Sequence, residues 1–273
     1  MSRCAECAHV FPFCGRILDL SINAKSANAI LSQWVAFYET TPSVYSARND
    51  WLRLDTWSEH LFAFVPDWKG KIVIDFGCGR AQRIPKLIPG GSIYLGIDFS
   101  MEALKVASVN LNGLFVRADV EHVELCDRSV DIILVLDVLM YLDNNMAILH
   151  NLLKWMRPGG RLLLHEKVRK PSLLRFVRRF LPAEKREHVD IPNVEVENLL
   201  RTLQDYGRIE HLHRGGSPVC YGLIRIIPTT LQRPLRHLIL GLDSLWCATV
   251  GLLFVGLGDG EIQIVFQREP LRK

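Results

Sequence analysis

Four aspartates follow four apolar segments of the sequence, each at the point where the apolar run stops. They are Asp75, Asp98, Asp119 and Asp137. Each run is typical of a buried strand, and the carboxyl ends of parallel strands meet at one edge of an open sheet. The sequence therefore predicts a cluster of carboxylates around one ligand crevice. Such a cluster repels a pyrophosphate and favours a ligand that carries positive charge.

Two glycines one residue apart follow the first aspartate, in the segment Val73-Ile74-Asp75-Phe76-Gly77-Cys78-Gly79-Arg80-Ala81. Because glycine has no Cβ, the chain can turn sharply there and a ligand can lie against its backbone. The segment predicts a strand–loop–helix nucleotide site. The dinucleotide pattern is incomplete because Gln82 occupies the place of its third glycine, and no P-loop sequence follows. S-adenosylmethionine, which has a sulfonium, an amino group, a ribose and an adenine but no phosphate, fits these residues.

The same segment resembles the first motif of the class I S-adenosylmethionine-dependent methyltransferases, of the type 11 kind, with Ala81 in place of a third glycine. Four more segments are similar to later motifs of that family, in the expected order and over about residues 70–167. They are Gly96–Ser100 for the ribose motif, Ala118–Glu121 for the adenine motif, Val130–Leu142 for the fourth motif, and Leu153–Gly160 for the turn before the fifth strand.

The resemblance implies a role for each residue of the crevice. Asp98 accepts hydrogen bonds from the ribose hydroxyls, and Asp119 accepts one from the adenine amino group. Asp75 and Asp137 flank the cationic methionine end. The predicted cofactor-binding residues are Asp75, Gly77, Gly79, Asp98, Phe99, Asp119, Val120 and Asp137.

Methyl transfer depends mainly on holding the acceptor in line with the reacting sulfur, so a dedicated acid or base is optional. His165 and Glu166, at the end of the fifth predicted strand, are candidates to take a proton from a hydroxyl or amine acceptor. Tyr141 is a candidate to line the pocket. Each also has a structural interpretation, since His165 can close a strand and Tyr141 can pack in the core. The sequence alone leaves the catalytic residues unassigned.

Strands and helices alternate through the region that holds these motifs. This alternation predicts an α/β fold that is doubly wound and Rossmann-like. Its sheet is expected to be mostly parallel and seven-stranded, with helices on both faces. An N-terminal helical arm and a C-terminal helical insertion are added to it. The predicted strands cover residues 71–76, 92–97, 114–116, 130–136, 161–165, 207–213 and 261–267.

The two ends of the chain depart from the repeating pattern. Cys4 and Cys7 offer half of a tetrahedral zinc site, but a second pair is missing, so this arm resembles a degenerate zinc ribbon and no bound metal is predicted. The predicted divisions are an arm over 1–25 and a methyltransferase domain over 26–273, with a core at 70–167, a basic loop at 168–193 and an apolar helical insertion at 228–258.

Nine apolar residues of the insertion fall on one helical stripe. The stripe predicts a helix that packs against the core or lines the substrate site, with contact to a membrane surface as the alternative. Asp243, near the middle, argues against a membrane span. The stripe comprises Leu235, Leu238, Ile239, Leu242, Leu245, Trp246, Thr249, Val250 and Leu253.

Composition sets wide limits on function. A hydrophobic content of 49% and a net charge of +4 are ordinary for a globular protein and do not by themselves require a nucleic-acid partner. The seven cysteines are scattered, which favours reduced thiols, and the N-terminus lacks an apolar region of signal-peptide length. We therefore expect a cytoplasmic protein, with membrane association left open.

The leading hypothesis is a methyltransferase that uses S-adenosylmethionine and acts on a small or lipophilic molecule. One alternative is a non-catalytic S-adenosylmethionine-binding subunit that activates a partner. A nucleic-acid methyltransferase that uses the basic cluster at 175–179 is disfavoured, because the family's Asn-Pro-Pro-Tyr signature is absent. An NAD-linked reductase is disfavoured by the missing glycine and the gathered acids. The sequence does not predict the oligomeric state.

Overall fold

The structure of the 273-residue chain is a computed structural model. It describes residues 2–3, 10–11, 13–20, 61–81, 84, 91–169, 194–215 and 259–270, together with the helical positions 231, 235, 238, 241, 242 and 245. Cys4 and Cys7, the predicted helical arm up to residue 60, and residues 170–193 of the predicted basic loop lie outside these ranges.

Nine of the described strands form one sheet, in the order β10-β11-β9-β8-β5-β6-β7-β4-β3, and β1 pairs with β2 in a separate ribbon. The strands are β1 Ser2–Arg3, β2 Val10–Phe11, β3 Phe13–Cys14, β4 Ile17–Asp19, β5 Ile72–Phe76, β6 Ile93–Asp98, β7 Leu114–Arg117, β8 Val130–Leu136, β9 Met156–Arg169, β10 Gly207–Gly215 and β11 Asp259–Arg268.

Three helices with defined ends alternate with these strands. They are α1 Met101–Asn110, α2 Asn145–Trp155 and α3 Val196–Tyr206, with 3-10 turns at Val120–His122 and Leu139–Tyr141. Helix α1 begins at Ser100, whose hydroxyl oxygen accepts a hydrogen bond from the Ala103 amide at 3.2 Å. This is the usual way in which serine satisfies one of the unpaired N–H groups of a first turn.

The predicted α/β fold is confirmed, and all seven predicted strands are present as β5 to β11. The central strands β4, β7, β6, β5, β8 and β9 are parallel, while β11 runs antiparallel to both β9 and β10. The sheet nevertheless has nine strands because the hairpin β3–β4 extends it beyond β7. The three-residue strand β4 is too short to give a periodic signal in the sequence.

Both faces of the sheet are buried, as a parallel sheet requires. Ile74 and Phe76 of β5 belong to a core cluster with residues of α2 and α3. Val73 faces the other way, into a second cluster that contains residues of α1 and the segment at 61–68. This alternation follows from the two-residue period of a strand, and it leaves the carboxyl edge of the central strands for a ligand.

The apolar insertion differs from the leading expectation. Leu238, Leu242 and Leu245 are helical and exposed, and Leu235 is half-buried. The exposure of these three leucines contradicts packing against the core, while the expected lining of the substrate site stays a prediction. Periodicity indicates that side chains share a face but does not reveal what covers that face. Within the described ranges, none of the helices has the length and apolar character needed to cross a membrane.

Candidate functional site

The glycine loop after β5 turns with left-handed backbone angles. Gly77 has φ +74° and Gly79 has φ +53°. A Cβ on Gly77 would lie 2.5 Å from a methyl carbon of Val138, in the segment that follows β8. The amides of Gly77 and Cys78 both donate to the Ile97 carbonyl oxygen, at 2.8 and 3.0 Å. Position 77 therefore requires glycine for its angle and for its close neighbour.

Ala81 occupies the place where the resembling family has a third glycine. Its φ is +46°, in the left-handed region, where a Cβ costs roughly 1–2 kcal/mol. The Ala81 amide donates to the Cys78 carbonyl oxygen at 2.9 Å, which closes the turn. The departure from the family pattern therefore keeps the loop's turned conformation and adds strain to it.

Asp98, at the carboxyl end of β6, ties the glycine loop to the start of α1. The Gly79 amide donates to Oδ2 and the Ser100 amide donates to Oδ1, each at 2.8 Å. Burial raises the pKa of Asp98 above its usual value, although these hydrogen bonds act in the opposite direction. Each carboxylate oxygen has a second lone pair. The carboxylate can therefore accept further hydrogen bonds, as the predicted ribose role requires.

Asp75 is buried beneath this loop rather than exposed at its rim. It is 3% exposed, and the Tyr94 hydroxyl donates to its Oδ2 at 2.7 Å. Burial raises the pKa of Tyr94, and the negative charge of Asp75 raises it further. Sequence reasoning missed Tyr94. Its contact depends on the register in which Val73 faces Tyr94 and Asp75 faces Gly96, and local periodicity does not give that register.

Asp119 follows β7, and both of its carboxylate oxygens contact groups of the same chain. Its Oδ1 accepts the Glu121 amide at 3.1 Å, and its Oδ2 lies 3.0 Å from the His122 Nδ1 atom. Only 1% of the Asp119 side chain is exposed, whereas 71% of the His122 side chain is exposed. Val120 is buried beside it. The predicted adenine role of Asp119 stays a prediction.

Asp137, which follows β8, meets His165, which lies within β9 and not at its end as predicted. Their Oδ1 and Nδ1 atoms lie 3.2 Å apart, and the Asp137 amide donates to the His165 carbonyl oxygen at 2.8 Å. Asp137 has φ +61°, an angle that aspartate adopts more readily than most residues. The side chain of His165 is 4% exposed and that of Asp137 is 21% exposed. The pair therefore stands at the boundary between the core and the crevice.

Glu166 lies on the opposite face of β9 from His165 and is fully buried. Its Oε1 accepts hydrogen bonds from the Val138 amide at 2.8 Å and the Leu139 amide at 2.7 Å. Burial raises its pKa to about 8, with the Asp137 charge as the second cause. Its Oε2 has no hydrogen-bond partner in the described part of the chain. Glu166 thus fixes the backbone of the segment after β8 through these two hydrogen bonds.

A row of polar side chains crosses three strands beside Asp137 and includes His165, and sequence reasoning missed the row. Gln263 on β11 faces His165 on β9, and His213 on β10 faces Gln263. Gln263 is 1% exposed, and among the described residues its Nε2 atom has no hydrogen-bond partner. A buried amide donor of this kind can serve a ligand oxygen or a water molecule. The signal is visible only after the strand order is known.

The other predicted residues have ordinary packing contacts. Tyr141 is half-buried and packs against the main core cluster. Phe99 is half-buried, its carbonyl oxygen accepts the Arg117 Nε–H at 3.1 Å, and the guanidinium lies 5.9 Å from its ring centre. Among the described side chains, no group of three or more histidines, cysteines or carboxylates could hold a metal ion.

The structure brings most of the predicted site to one edge of the sheet. The glycine loop follows β5, Asp98 ends β6, Asp137 follows β8 and His165 lies within β9. These four strands are neighbours in the sheet. Val138 links this edge directly to Gly77. Asp119 lies one strand further out, after β7. The arrangement provides acidic acceptors and a close backbone approach, which suit a cationic ligand without phosphate.

Residues 74–164 match the family model described as Methyltransferase domain. These residues hold the glycine loop, the acidic strand ends and β9 up to the residue before His165. The predicted resemblance to class I S-adenosylmethionine-dependent methyltransferases is therefore confirmed over this segment.

Two curated relatives show how far the similarity extends. Phosphoethanolamine N-methyltransferase 3 of Arabidopsis thaliana is 29% identical over 117 residues, which cover 38% of this chain and 22% of the relative. Demethylmenaquinone methyltransferase of Clavibacter sepedonicus is 26% identical over 152 residues, covering 54% of this chain and 60% of the relative. The similarity thus spans about a fifth of the plant relative's length.

A solved structure shares the fold over more of the chain. Phosphoethanolamine N-methyltransferase 2 of Haemonchus contortus, in complex with phosphomonomethylethanolamine and S-adenosylhomocysteine, superposes with a TM-score of 0.56. It is 15% identical, and the match covers 90% of this chain and 61% of that one. At this level of identity the likeness confirms the fold.

Proposed function

We propose that this chain is an S-adenosylmethionine-dependent methyltransferase that acts on a small or lipophilic molecule. The observation that carries the proposal is the coupling of the glycine loop to Asp98, through the 2.8 Å hydrogen bond from the Gly79 amide. This contact fixes a carboxylate beside a loop that cannot accept a side chain at Gly77. The family match over 74–164 supports the same conclusion.

The residues at this edge fit S-adenosylmethionine better than a dinucleotide. Asp98 would hold the ribose, Gly77 and Gly79 would lie against the ligand, and Asp137 would face its cationic end. S-adenosylmethionine supplies a methyl group activated by a positively charged sulfur. The chain's own contribution is to hold the acceptor atom in line with that methyl group, which is the main source of rate in such a transfer.

We assign the role of proton acceptor to His165 rather than to Glu166. His165 has the Asp137 carboxylate 3.2 Å from its Nδ1 atom, so a negative charge lies beside the ring that would accept the proton. Glu166 faces the other side of β9 and its Oε1 already holds two backbone amides. It acts through the segment after β8, as a positioning residue.

The acceptor we propose is a small or lipophilic molecule with a polar group, and not a nucleic acid. Relatives of this chain are named for phosphoethanolamine and demethylmenaquinone as substrates, which are a small amine and a lipid-like quinone. The Gln263 amide and the neighbouring His213 provide a polar region for the acceptor beside His165. The rest of the acceptor molecule can be apolar.

The test is calorimetric titration of the full chain with S-adenosylmethionine and, separately, with NADH. An Asp98→Ala variant should lose binding by about tenfold or more, because a buried hydrogen bond to a charged group contributes about 1.5–3 kcal/mol. Asp127→Ala is the matched control, since Asp127 is exposed and precedes β8 at the opposite edge. Circular dichroism confirms that both variants are folded.

Each result decides between hypotheses. Binding of S-adenosylmethionine that Asp98→Ala weakens and Asp127→Ala leaves unchanged would support the proposed cofactor site. Turnover of an amine, hydroxyl or quinone acceptor would then support the enzyme. Binding without turnover of any acceptor would favour the alternative, a non-catalytic subunit that activates a partner. Binding of NADH alone by a folded chain would contradict the proposal.

A further inference from the structure

Gln263 lies in the middle of the row of polar side chains, between His165 of β9 and His213 of β10. Residues directly opposite each other in antiparallel strands share a face of the sheet, with Cβ atoms about 5 Å apart. Next to His165 stands Asp137, whose side chain is 21% exposed and therefore borders the crevice. Gln263 thus lies one strand inward from the histidine that we propose as the proton acceptor.

The Gln263 amide has a donor that its surroundings leave unused. Gln263 is 1% exposed, and its Nε2 atom has no hydrogen-bond partner in the described part of the chain. The next pair on the same face of these strands, Leu163 with Val265, is fully buried and apolar. A buried donor without a partner lowers stability, and native proteins rarely keep one. The unused donor therefore indicates that a ligand completes this position.

The partner of this N–H donor is an oxygen atom, and the charges around the row indicate a neutral one. The row itself contains no arginine or lysine, and Asp137 places a carboxylate beside it. The following register pair on β9 and β11 joins Lys167 to Glu261, whose formal charges cancel. A buried carboxylate or phosphate would be repelled by Asp137 and would lack a strong counter-charge within the row. A carbonyl oxygen needs only the hydrogen bond.

We propose that Gln263 is a specificity-determining residue, which selects methyl acceptors that carry a neutral carbonyl oxygen close to the methylated atom. The Nε2 atom donates to that oxygen, while His165 on the neighbouring strand faces the reacting hydroxyl or amine. Because the donor is buried, water does not compete for it, and an acceptor without the oxygen leaves it unsatisfied. This inference rests on the proposed function for the acceptor site, but its test is a binding measurement that needs no turnover.

The test is calorimetric titration of the full chain with four phenols of similar size, in the presence and absence of S-adenosylmethionine. 3-Hydroxyacetophenone carries the carbonyl oxygen, 3-ethylphenol lacks it, 3-aminophenol has a donor in its place, and 3-hydroxybenzoate has an anion. We expect 3-hydroxyacetophenone to bind about tenfold more tightly than each of the others, which is the usual contribution of one hydrogen bond. Gln263→Met should abolish this preference, since methionine keeps the side-chain length but has no N–H donor.

Gln267→Met is the matched control. Gln267 lies on the same face of β11, four residues from Gln263, and its Oε1 atom accepts a hydrogen bond from Arg208 at 3.4 Å. This variant should keep the wild-type preference. Thermal unfolding without ligand separates a binding role from a structural one. Gln263→Met should unfold at the wild-type temperature or above it, because the substitution removes a buried donor that has no partner.

Three results would overturn the proposal. The first is a lower unfolding temperature of ligand-free Gln263→Met, which would mean that the amide serves the fold. The second is wild-type binding in which 3-hydroxyacetophenone has no advantage, including no binding of any phenol. The third is a preference that Gln263→Met retains. Failure of the wild-type chain to bind S-adenosylmethionine would instead contradict the proposed function, and the titrations without S-adenosylmethionine would still test Gln263.

Discussion

At the scale of single residues, Glu166 combines a buried carboxyl group with a structural task. Its Oε1 atom holds the amides of Val138 and Leu139, and Val138 is the neighbour that excludes a side chain from Gly77. One glutamate therefore connects β9 to the glycine loop through a single intervening residue. Burial raises the pKa of Glu166 to about 8, with Asp137 adding to the effect and His165 opposing it.

This raised pKa predicts a pH-dependent stability that Glu166→Gln should remove. A folded pKa of about 8, above the usual 4.5, means that the folded chain holds the proton more tightly than the unfolded chain. The resulting stability is complete below about pH 4.5 and is lost as the pH rises towards 8. Between pH 5 and 8, the free energy of unfolding of the wild type should fall relative to that of Glu166→Gln by up to about 1.4 kcal/mol per pH unit.

Urea unfolding of wild type and Glu166→Gln at each pH unit measures this difference in the free energy of unfolding. Most other titrating groups contribute equally to both proteins and cancel in the difference. Glutamine keeps an oxygen that can accept the two amide hydrogen bonds, so the variant should fold. Glu166→Ala is the contrasting variant, because it leaves the Val138 and Leu139 amides unsatisfied and should be less stable at every pH. Parallel stability curves for wild type and Glu166→Gln would show that Glu166 is ionised at neutral pH.

Some residue roles were predictable from the sequence, and others depend on pairing between strands. Asp98 was found because an apolar run ends at it. Tyr94 and Gln263 were not found, because each faces its partner across a strand pair. Glu166 was named in the sequence only as a candidate base, whereas the role we propose for it is to hold the Val138 and Leu139 amides. Its two amide partners lie in the segment after β8, a contact that periodicity along β9 does not reveal.

At the scale of elements, helix α2 ends against a buried arginine from the other end of the chain. Arg268 is 6% exposed, and its guanidinium donates to the carbonyl oxygens of Leu153, Lys154 and Met156. The last carbonyl groups of a helix have no partner within it, and a cation is favoured at its negative end. Arg268 therefore caps α2 and anchors the end of β11.

Replacing this cap should destabilise the chain. Arg268→Met retains most of the apolar volume but removes the guanidinium donor from all three carbonyl oxygens, of which that of Lys154 also accepts the Arg128 amide. We therefore expect a loss of about 2–4 kcal/mol in the free energy of unfolding. Arg208→Met is the matched control. Arg208 is 65% exposed where it pairs with Glu210, and its removal should change stability by about 0.5 kcal/mol or less. Chemical denaturation measures both, and equal small losses would contradict the capping role.

The strand order shows where element-level prediction stops. The seven main strands and their alternation with helices were visible as apolar runs separated by turns. The insertion of β11 between β9 and β10 was not, because a run such as Glu261–Gln267 has the same pattern wherever it pairs. The order matters for the site, since it places Gln263 beside His165.

At the scale of the whole molecule, the N-terminal segment is joined to the nine-stranded sheet. Strand β4 pairs in parallel with β7, and Ile17 faces Phe115 in that pairing. Asp19 adds an ion pair with Arg117, with 3.4 Å between the charged atoms. The predicted boundary at residue 25 stays a prediction, but the contacts of β4 indicate that residues 13–20 fold with the domain.

The cooperative unit can be identified by truncating one side chain in this segment. Ile17 is 1% exposed and belongs to the core cluster that contains Phe62 and Leu104. Ile17→Ala should therefore lower the free energy of unfolding by about 2–4 kcal/mol, through lost burial and the cavity left behind. Phe13→Ala, in the same hairpin but 45% exposed, should cost less than about 1 kcal/mol.

Tryptophan fluorescence during urea unfolding follows this difference at the core, because Trp68 is a buried member of the same cluster. If β4 is part of the domain, Ile17→Ala shifts the single transition of the core to lower urea while Phe13→Ala leaves it nearly unchanged. Matching transitions for the two variants would mean that the hairpin detaches before the core unfolds. In that case the domain would begin after residue 20, and the sheet would be stable with β7 as its outermost strand.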